Sequence, residues 1–260
     1  QLAVTFNNMA TSLEAIDQSR QSFMGNIAHE LRTPMTTIKG FVDGMLDGVI
    51  PPENYEHYLT IVSGEAGRLT RLIKGMLDVT KLEAGEYVIN AENYDVWDTI
   101  TSALFGAEKR LEENHIGILG FAPNKTMVHA DRDIVYQVFY NILDNAIKFT
   151  NDGGTITLDV FEKDDFVTVS IKNTGAGISE DAISHIFERF YKEDKSRGLH
   201  AGGSGLGMHI SKVLITRSGG EIWVESQQNE YAQFFFKLPK GEIEPPVAKR
   251  KHANIVTKDE

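Results

Sequence analysis

The first part of the chain carries a long apolar stripe with the period of a helix. Its members are separated mainly by alternating steps of four and three residues, as in a coiled-coil seam. They are Leu2, Phe6, Met9, Leu13, Ile16, Phe23, Ile27, Leu31, Met35, Ile38, Val42 and Met45. Arg20 is the polar residue within this stripe, and Pro51 and Pro52 follow its end. The pattern predicts a helix over about residues 1–49.

A second apolar stripe with the same spacing follows the two prolines. It comprises Tyr55, Leu59, Val62, Ala66, Leu69, Ile73 and Met76. This helix is expected to end near Gly85, because glycine readily adopts the left-handed conformation found after a helix C-terminus. Two long helices with a short connection form an antiparallel hairpin, and two hairpins in a four-helix bundle bury both stripes. The chain is therefore expected to be a homodimer, with ordinary amphipathic helices as the alternative.

The pattern changes after Gly85. Short runs typical of strands occur at Tyr87–Ile89, Ile116–Phe121, Thr155–Phe161, Phe166–Lys172, Glu221–Glu225 and Gln233–Leu238. Helical patterns lie between them at about Val96–Asn114, Asp131–Phe149, Glu180–Phe187 and Gly207–Ser218. The alternation predicts a separate α+β domain over residues 86–240. Residues 241–260 contain two adjacent prolines and no periodicity, so they are expected to be a disordered tail.

The composition excludes several kinds of site and partner. The 260 residues include no Cys, which excludes disulfides, thiolate metal sites and a Cys nucleophile. The formal net charge is −11, which argues against a nucleic-acid partner. No run approaches the roughly 18 apolar residues of a membrane span, so none is expected in this chain. Because the sequence begins inside a helical repeat, we interpret it as a piece of a longer protein.

The first candidate for chemistry is His29. At about 100° per residue, it lies about 200° from the stripe residues Ile27 and Leu31, so its ring is expected to face solvent. A neutral imidazole can attack phosphorus when the proton on its other nitrogen is removed, and the adjacent Glu30 can accept that proton. Thr33, one turn further along, could orient a water that removes phosphate. An ordinary surface histidine is the alternative.

The second candidate is a polar stripe on one predicted helix of the α+β domain. Asn141, Asn145 and Lys148 share a face, while Val138 and Phe139 lie on the opposite, apolar face. Two amide oxygens and an ammonium group on one stripe suit Mg²⁺ and the oxygens of a triphosphate. A solvated polar face is the alternative.

Two glycine-rich segments are candidates for close approach of the backbone to a ligand. Asn173–Ile178 follows a predicted strand, and Gly202–Gly207 opens a predicted helix, where backbone N–H groups can bind an anion. The second segment matches neither a dinucleotide fingerprint nor a P-loop. Between the two lies a polar stretch with Lys195 and Arg197, which is expected to be a mobile cationic lid.

In their order and spacing, these segments resemble the cytoplasmic core of a sensor histidine kinase. His29–Pro34 is similar to the H box, Asn141–Thr150 to the N box, Asn173–Ile178 to the G1 box, Phe187–Lys192 to the F box and Gly203–Gly207 to the G2 box. Residues 1–20 resemble the last helix of a HAMP signalling module. The resemblance implies a dimeric four-helix-bundle phosphotransfer domain over residues 21–85 and a Bergerat (GHKL) ATP-binding α/β sandwich over residues 86–240.

The resemblance also implies a role for each candidate residue. His29 would accept a phosphoryl group from MgATP with Glu30 as its general base, and Thr33 would help to dephosphorylate a response regulator. Asn141 and Asn145 would bind Mg²⁺ and the phosphates. The nucleotide would further contact Lys148, Phe149, Asn173, Gly175, Gly177, Ile178, Tyr191, Lys192, Lys195, Arg197, Gly203, Ser204, Gly205, Leu206 and Gly207.

The function implied is that of a two-component sensor kinase. It would phosphorylate its own histidine from MgATP, pass the phosphoryl group to an aspartate of a response regulator and act as a phosphatase on that regulator. The chain would be the cytoplasmic part of a bacterial membrane protein.

Two departures from the family pattern leave alternatives open. Asn173 stands where the family usually has Asp, whose carboxylate accepts the adenine amino hydrogen. A charge-assisted hydrogen bond is about twice as strong as a neutral one, so several-fold weaker nucleotide binding is expected. The last glycine-rich box, near Asn229, also lacks its glycine. A signalling scaffold without ATP binding is one alternative, and a general ATPase with Asp144 as its base is another.

Overall fold

The structure is a computed structural model, which describes residues 2–86, 88–192 and 204–242. The helices are α1 (Leu2–Leu46), α2 (Tyr55–Glu83), α3 (Val96–Glu113), α4 (Arg132–Phe149), α5 (Glu180–Ile183) and α6 (Gly207–Arg217). The strands are β1 (Glu92–Asp95), β2 (Gly117–Leu119), β3 (Met127–Ala130), β4 (Thr155–Lys163), β5 (Phe166–Thr174), β6 (Glu221–Gln227) and β7 (Tyr231–Pro239). The expected disorder after residue 242 falls outside the described residues.

Helices α1 and α2 form the predicted hairpin. At its closed end, the Tyr55 hydroxyl donates to the carbonyl of Met45 at 2.9 Å, and the rings of Phe41 and Tyr58 lie 4.9 Å apart. Helix α1 continues through Pro34, although proline has no N–H to donate. Several residues of the predicted seams, namely Met35, Leu59 and Ile73, are exposed. Dimerisation through these faces stays a prediction.

The second half of the chain is built on a five-stranded sheet. Its strand order is β2-β4-β5-β7-β6, with β2 and β4 parallel and the other pairs antiparallel. Helices α4 and α6 pack on this sheet, and α3 packs on α4. Side chains such as Phe139, Ile142 and Phe236 are completely buried between them. The helical hairpin followed by an α/β sheet domain confirms the predicted fold class.

The small sheet of β1 and β3 was not predicted. The strand predicted at Tyr87–Ile89 is wrong for its described part, since residues 88 and 89 are not in a strand and Val88 is exposed. The chain instead forms β1 five residues further on, where Tyr94 pairs with Val128 of the unpredicted β3. The side chains of Tyr94 and Val128 are both buried. Each strand has only four residues, which is too short for an alternation of polar and apolar residues to indicate a strand.

The hairpin and the sheet domain share one hydrophobic core. Leu72, Val79 and Leu82 of α2 are almost completely buried and belong to the same cluster as the sheet domain. At Gly75 the backbone of α2 comes so close to α6 that an added Cβ would lie 3.4 Å from the Leu206 side chain. Helix α2 therefore has a second apolar face, distinct from the predicted seam. This face fixes the position of the sheet domain, and of its candidate nucleotide-binding residues, relative to His29.

Candidate functional site

His29 is exposed on α1, as its phase relative to the apolar stripe predicted. The Thr33 hydroxyl, one turn further along, donates to the His29 carbonyl at 3.4 Å. Glu30 is half-buried, because its side chain turns toward α2 and the sheet domain. The acceptor ring and the adjacent carboxylate therefore occupy different environments within one helical turn.

The Glu30 carboxylate joins the two parts of the molecule. Lys192 Nζ donates to its Oε1 at 2.7 Å and to its Oε2 at 2.8 Å. A second cation, Arg68 of α2, places Nη2 3.5 Å from Oε2. The side chains of Lys192 and Glu30 are only 23% and 18% exposed, so this ion pair is partly shielded from solvent. The structure thus brings together a predicted base and a predicted phosphate-binding lysine that are 162 residues apart.

Lys148 lies in the same positive environment. Burial lowers its pKa, and the positive charges of Lys192 and Arg68 lower the pKa further, while Asp144 acts in the opposite direction. Three cations thus influence one another here, while Glu30 contacts Lys192 and Arg68, Glu65 lies near Arg68, and Asp144 acts on Lys148. A bound anion would relieve this repulsion, so the region beside His29 is suited to phosphate.

The predicted polar stripe of α4 faces the start of α6. Asn141 Nδ2 donates to the Gly207 carbonyl and to the Ser211 hydroxyl, both at 3.2 Å. These bonds fix the amide so that its Oδ1 is directed away from both acceptors. Asn145, one turn along, is half-buried. Amide oxygens in this position fit Mg²⁺, which in proteins usually takes few side-chain oxygens and completes its shell with phosphates and water.

The first glycine-rich segment packs tightly between α4 and β6. A Cβ on Gly175 would lie 2.1 Å from the Phe149 carbonyl oxygen, and one on Gly177, whose φ is +63°, would lie 2.3 Å from that of Gln227. The Ile178 N–H donates to the Ser226 hydroxyl at 2.8 Å. These glycines are therefore required by the fold itself, because no side chain could be accommodated there. The Phe149 ring next to them is exposed.

Asn173, at the start of the same segment, is 2% exposed. Its Nδ2 donates to the carbonyl of Thr174 at 3.3 Å. A carboxylate at this position would have no hydrogen to offer that carbonyl. The unusual amide is thus compatible with its local surroundings.

The second glycine-rich segment contacts the F box directly. The Phe190 N–H donates to the Gly205 carbonyl at 2.9 Å, and a Cβ on Gly205 would meet the Phe190 backbone at 2.6 Å. Ser204 Oγ accepts from the Leu206 N–H at 3.3 Å, whereas the Leu206 side chain is buried against α2. Tyr191 packs beside His185, with 5.6 Å between their ring centroids. Lys195, Arg197 and Gly203 lie outside the described residues.

Several contacts around the F box were not predicted from the sequence. The Arg189 guanidinium lies 5.1 Å from the Phe23 ring centroid, and that ring lies 5.7 Å from the ring of Phe190. Arg189 Nε donates to His209 Nε2 at 3.2 Å, and His209 Nδ1 lies 3.1 Å from the Phe187 carbonyl. The clue in the sequence is Phe23, which is the one aromatic residue of the stripe over residues 9–38, where the other members are aliphatic residues, Met and Arg20.

Asp144, the base of the ATPase alternative, forms an ion pair with α3. Its Oδ1 lies 2.5 Å from Nη1 of Arg110. This contact draws the carboxylate toward α3, so the structure gives no support to Asp144 as a base for water.

Comparison with known proteins assigns both parts of the chain. Residues 19–85 match the family profile "His Kinase A (phospho-acceptor) domain". Residues 130–242 match "Histidine kinase-, DNA gyrase B-, and HSP90-like ATPase". The chain is 32% identical over 239 residues to the sensor histidine kinase WalK of Bacillus subtilis (strain 168), covering 89% of this chain and 38% of WalK.

Solved structures of histidine kinases have the same fold. The histidine kinase ThkA, in complex with the response regulator protein TrrA, is 28% identical with a TM-score of 0.71, covering 84% of this chain and 61% of ThkA. Full-length ShkA in complex with AMPPNP is 25% identical with a TM-score of 0.64, covering 86% of this chain and 46% of ShkA. Within the described part of the chain, no helix combines the length and hydropathy needed to cross a bilayer.

Proposed function

Because this chain belongs to the sensor histidine kinases of two-component systems, we propose that it transfers the γ-phosphoryl group of MgATP to His29 and then to an aspartate of a response regulator. The observation that carries the proposal is the cationic region beside Glu30, in which Lys148 and Lys192 are the phosphate-binding candidates and Arg68 contacts Glu30 from α2. It supplies charge for the phosphates next to the residue that would be phosphorylated. The TrrA complex of ThkA supports a response regulator as the partner.

The first chemical step uses groups on both parts of the molecule. One ring nitrogen of His29 forms a bond to the γ-phosphorus, the bond from that phosphorus to the β–γ bridging oxygen breaks, and ADP leaves. The proton on the other ring nitrogen passes to the Glu30 carboxylate. For this, Lys192 must release Glu30 and move to the phosphates. Positioning and neutralisation of phosphate charge supply most of the catalysis in such reactions.

The remaining candidate residues hold the nucleotide. The AMPPNP complex of ShkA supports an ATP site in the sheet domain. In our proposal the amide oxygens of Asn141 and Asn145 would hold Mg²⁺, which would neutralise phosphate charge. Asn173 would accept a hydrogen bond from the adenine amino group through its amide oxygen, and Lys195 and Arg197 would bind the phosphates. The glycine-rich segments, Phe149 and Tyr191 line the remainder of the site.

Assembly and domain roles follow from the same family membership. We propose a homodimer through the exposed seam of the hairpin, with phosphotransfer on residues 21–85, nucleotide binding on residues 86–240 and a HAMP-like helix over residues 1–20. We also propose, from the resemblance to sensor kinases, that the chain is the cytoplasmic part of a membrane protein. The chain spans about two fifths of the length of WalK, namely 38%.

Labelling with γ-labelled MgATP tests the acceptor. The parent chain is expected to gain acid-labile label, and His29→Gln is expected to abolish it. His57→Gln is the matched control, because His57 is also an exposed hairpin histidine but lies on α2. Label that survives His29→Gln, or a parent chain that binds MgATP and stays unlabelled, would refute the proposal.

Removal of phosphate from the regulator tests Thr33. The Thr33 hydroxyl makes a long 3.4 Å bond to the helix carbonyl of His29, so exchanging this bond for a water costs little. Thr33→Ala is expected to slow dephosphorylation of the regulator while leaving labelling of His29 intact. Thr37→Ala removes the equivalent helix bond one turn further along, at 3.2 Å, and is the control. Equal rates in both variants would exclude Thr33 from this step.

A further inference from the structure

Arg68 of α2 is shared between two carboxylates. Its Nη2 lies 3.5 Å from Glu30 and its Nη1 lies 3.7 Å from Glu65. Both distances exceed the usual hydrogen-bond range of about 2.7–3.2 Å. The side chain is only 27% exposed, and Oε2 of Glu65 is buried without a hydrogen-bond partner among the described residues. The guanidinium therefore has N–H groups that could form shorter hydrogen bonds to both Glu30 and Glu65 after a small movement.

The proposed reaction changes which cation can hold the Glu30 carboxylate. In the structure Lys192 holds the carboxylate at 2.7 and 2.8 Å. Once Lys192 moves to the phosphates, Glu30 loses its close partner. Among the described residues, Arg68 is the other cation in contact with Glu30, and it approaches from α2 rather than from the nucleotide side.

We propose that Arg68 is a positioning residue for phosphoryl transfer, which holds the Glu30 carboxylate beside His29 after Lys192 has moved to the nucleotide. The inference rests on the proposed function. Glu65 anchors the other arm of the guanidinium, one turn earlier on α2. A planar guanidinium can bridge two carboxylates in this way, whereas an ammonium group gives a single point of charge. Arg68 therefore acts through Glu30 and does not itself touch the reacting atoms.

A double-mutant cycle tests this assignment. The rate of His29 labelling at saturating MgATP is measured for Arg68→Ala, Glu30→Gln and the double variant. General bases contribute about 10²–10⁴-fold, so misplacing one is expected to slow Arg68→Ala about tenfold. The MgATP concentration for half-maximal rate is expected to stay unchanged, and the double variant should be no slower than Glu30→Gln. Arg68→Lys should recover part of the rate, and Arg71→Ala, at an exposed position of the same helix, should match the parent.

Three results would overturn the inference. Arg68→Ala could slow labelling equally in the Glu30→Gln background, which would mean that it does not act through the carboxylate. It could raise only the MgATP requirement, which would make Arg68 a phosphate ligand. The Arg68→Ala variant could lose AMPPNP binding and unfold at a lower Tm, which would mean that Arg68 has a structural role. A parent chain that never labels His29 refutes the proposed function and the inference together, so the two failures are distinguishable.

Discussion

Gly75 is the position at which the docking of the hairpin onto the sheet domain can be tested most directly. A Cβ added there would lie 3.4 Å from Leu206 Cδ1 and 3.8 Å from Ile210 Cδ1, which is ordinary van der Waals contact. Gly75→Ala should therefore be accommodated. Gly40 on α1 is the matched control, because a Cβ there meets nothing within 4 Å.

The expected magnitudes separate the effect of helix propensity from that of docking. Replacing a helical glycine by alanine stabilises by about 1 kcal/mol, so Gly75→Ala and Gly40→Ala should each raise Tm by about 2–4 °C. Leucine has nearly the same propensity, and Gly40→Leu should keep this gain. Gly75→Leu must displace Leu206, which is 1% exposed, and overpacking of this kind costs about 1–3 kcal/mol.

Thermal unfolding and amide hydrogen exchange provide the assay. Gly75→Leu should melt below Gly40→Leu and exchange faster over the first turn of α6, where the Ile210 N–H donates to the Leu206 carbonyl. It should also slow His29 labelling, because the same docking fixes the position of the nucleotide-binding candidates relative to His29. Identical melting and exchange in the two leucine variants would refute the packing of α2 on α6.

Three further predictions concern the nucleotide domain. Since burial and nearby cations lower the pKa of Lys148, AMPPNP phosphates should raise this pKa again and cause proton uptake at alkaline pH, measured by calorimetry in buffers of different ionisation enthalpy; uptake that persists in Lys148→Met would contradict this. Asn173→Asp should tighten AMPPNP several-fold yet lower Tm, because it loses the bond to the Thr174 carbonyl; weaker binding would disprove the adenine contact. Asp131→Ala should cost about 1–2 kcal/mol in urea unfolding, because it removes the cap that accepts from two α4 amides, whereas Asp133→Ala should cost less than about 0.5 kcal/mol; equal losses would argue against the cap.

The hairpin was predictable because its apolar residues are periodic over many turns. The sheet domain was predictable to the level of its long strands, since β4, β5 and β7 are rich in apolar and β-branched residues. The short strands β1 and β3 were not, because four residues carry too little periodicity and tertiary pairing decides their position. The buried face of α2 was missed because its three apolar residues, Leu72, Val79 and Leu82, form a weaker periodic pattern than the longer seam on the same helix.

The candidate site was predictable as a set of motifs but not as an arrangement. The exposure of His29 follows from helical phase, whereas the contact of Asn141 with Gly207 depends on how α4 and α6 pack. The Glu30–Lys192 ion pair depends on how two domains dock, which leaves no local signal in the sequence. Arg68 was missed for the same reason, because a single arginine on a polar helix face resembles any solvated charge.

Helix α1 carries both Phe23 and Glu30, so its rotation would affect the contacts of both residues. Its 45 residues form one continuous helix that includes Pro34, and Phe23 and Glu30 lie seven residues, about two turns, apart and so point to the same side. Side-chain ends lie about 5–6 Å from a helix axis, so a twist of about 20° sweeps each of them through about 2 Å. That distance is enough to open the ion pair to Lys192 and to shift the aromatic contact with Phe190 in a single movement. A rotation of α1 about its axis would therefore disturb the Glu30–Lys192 ion pair and the Phe23–Phe190 contact together.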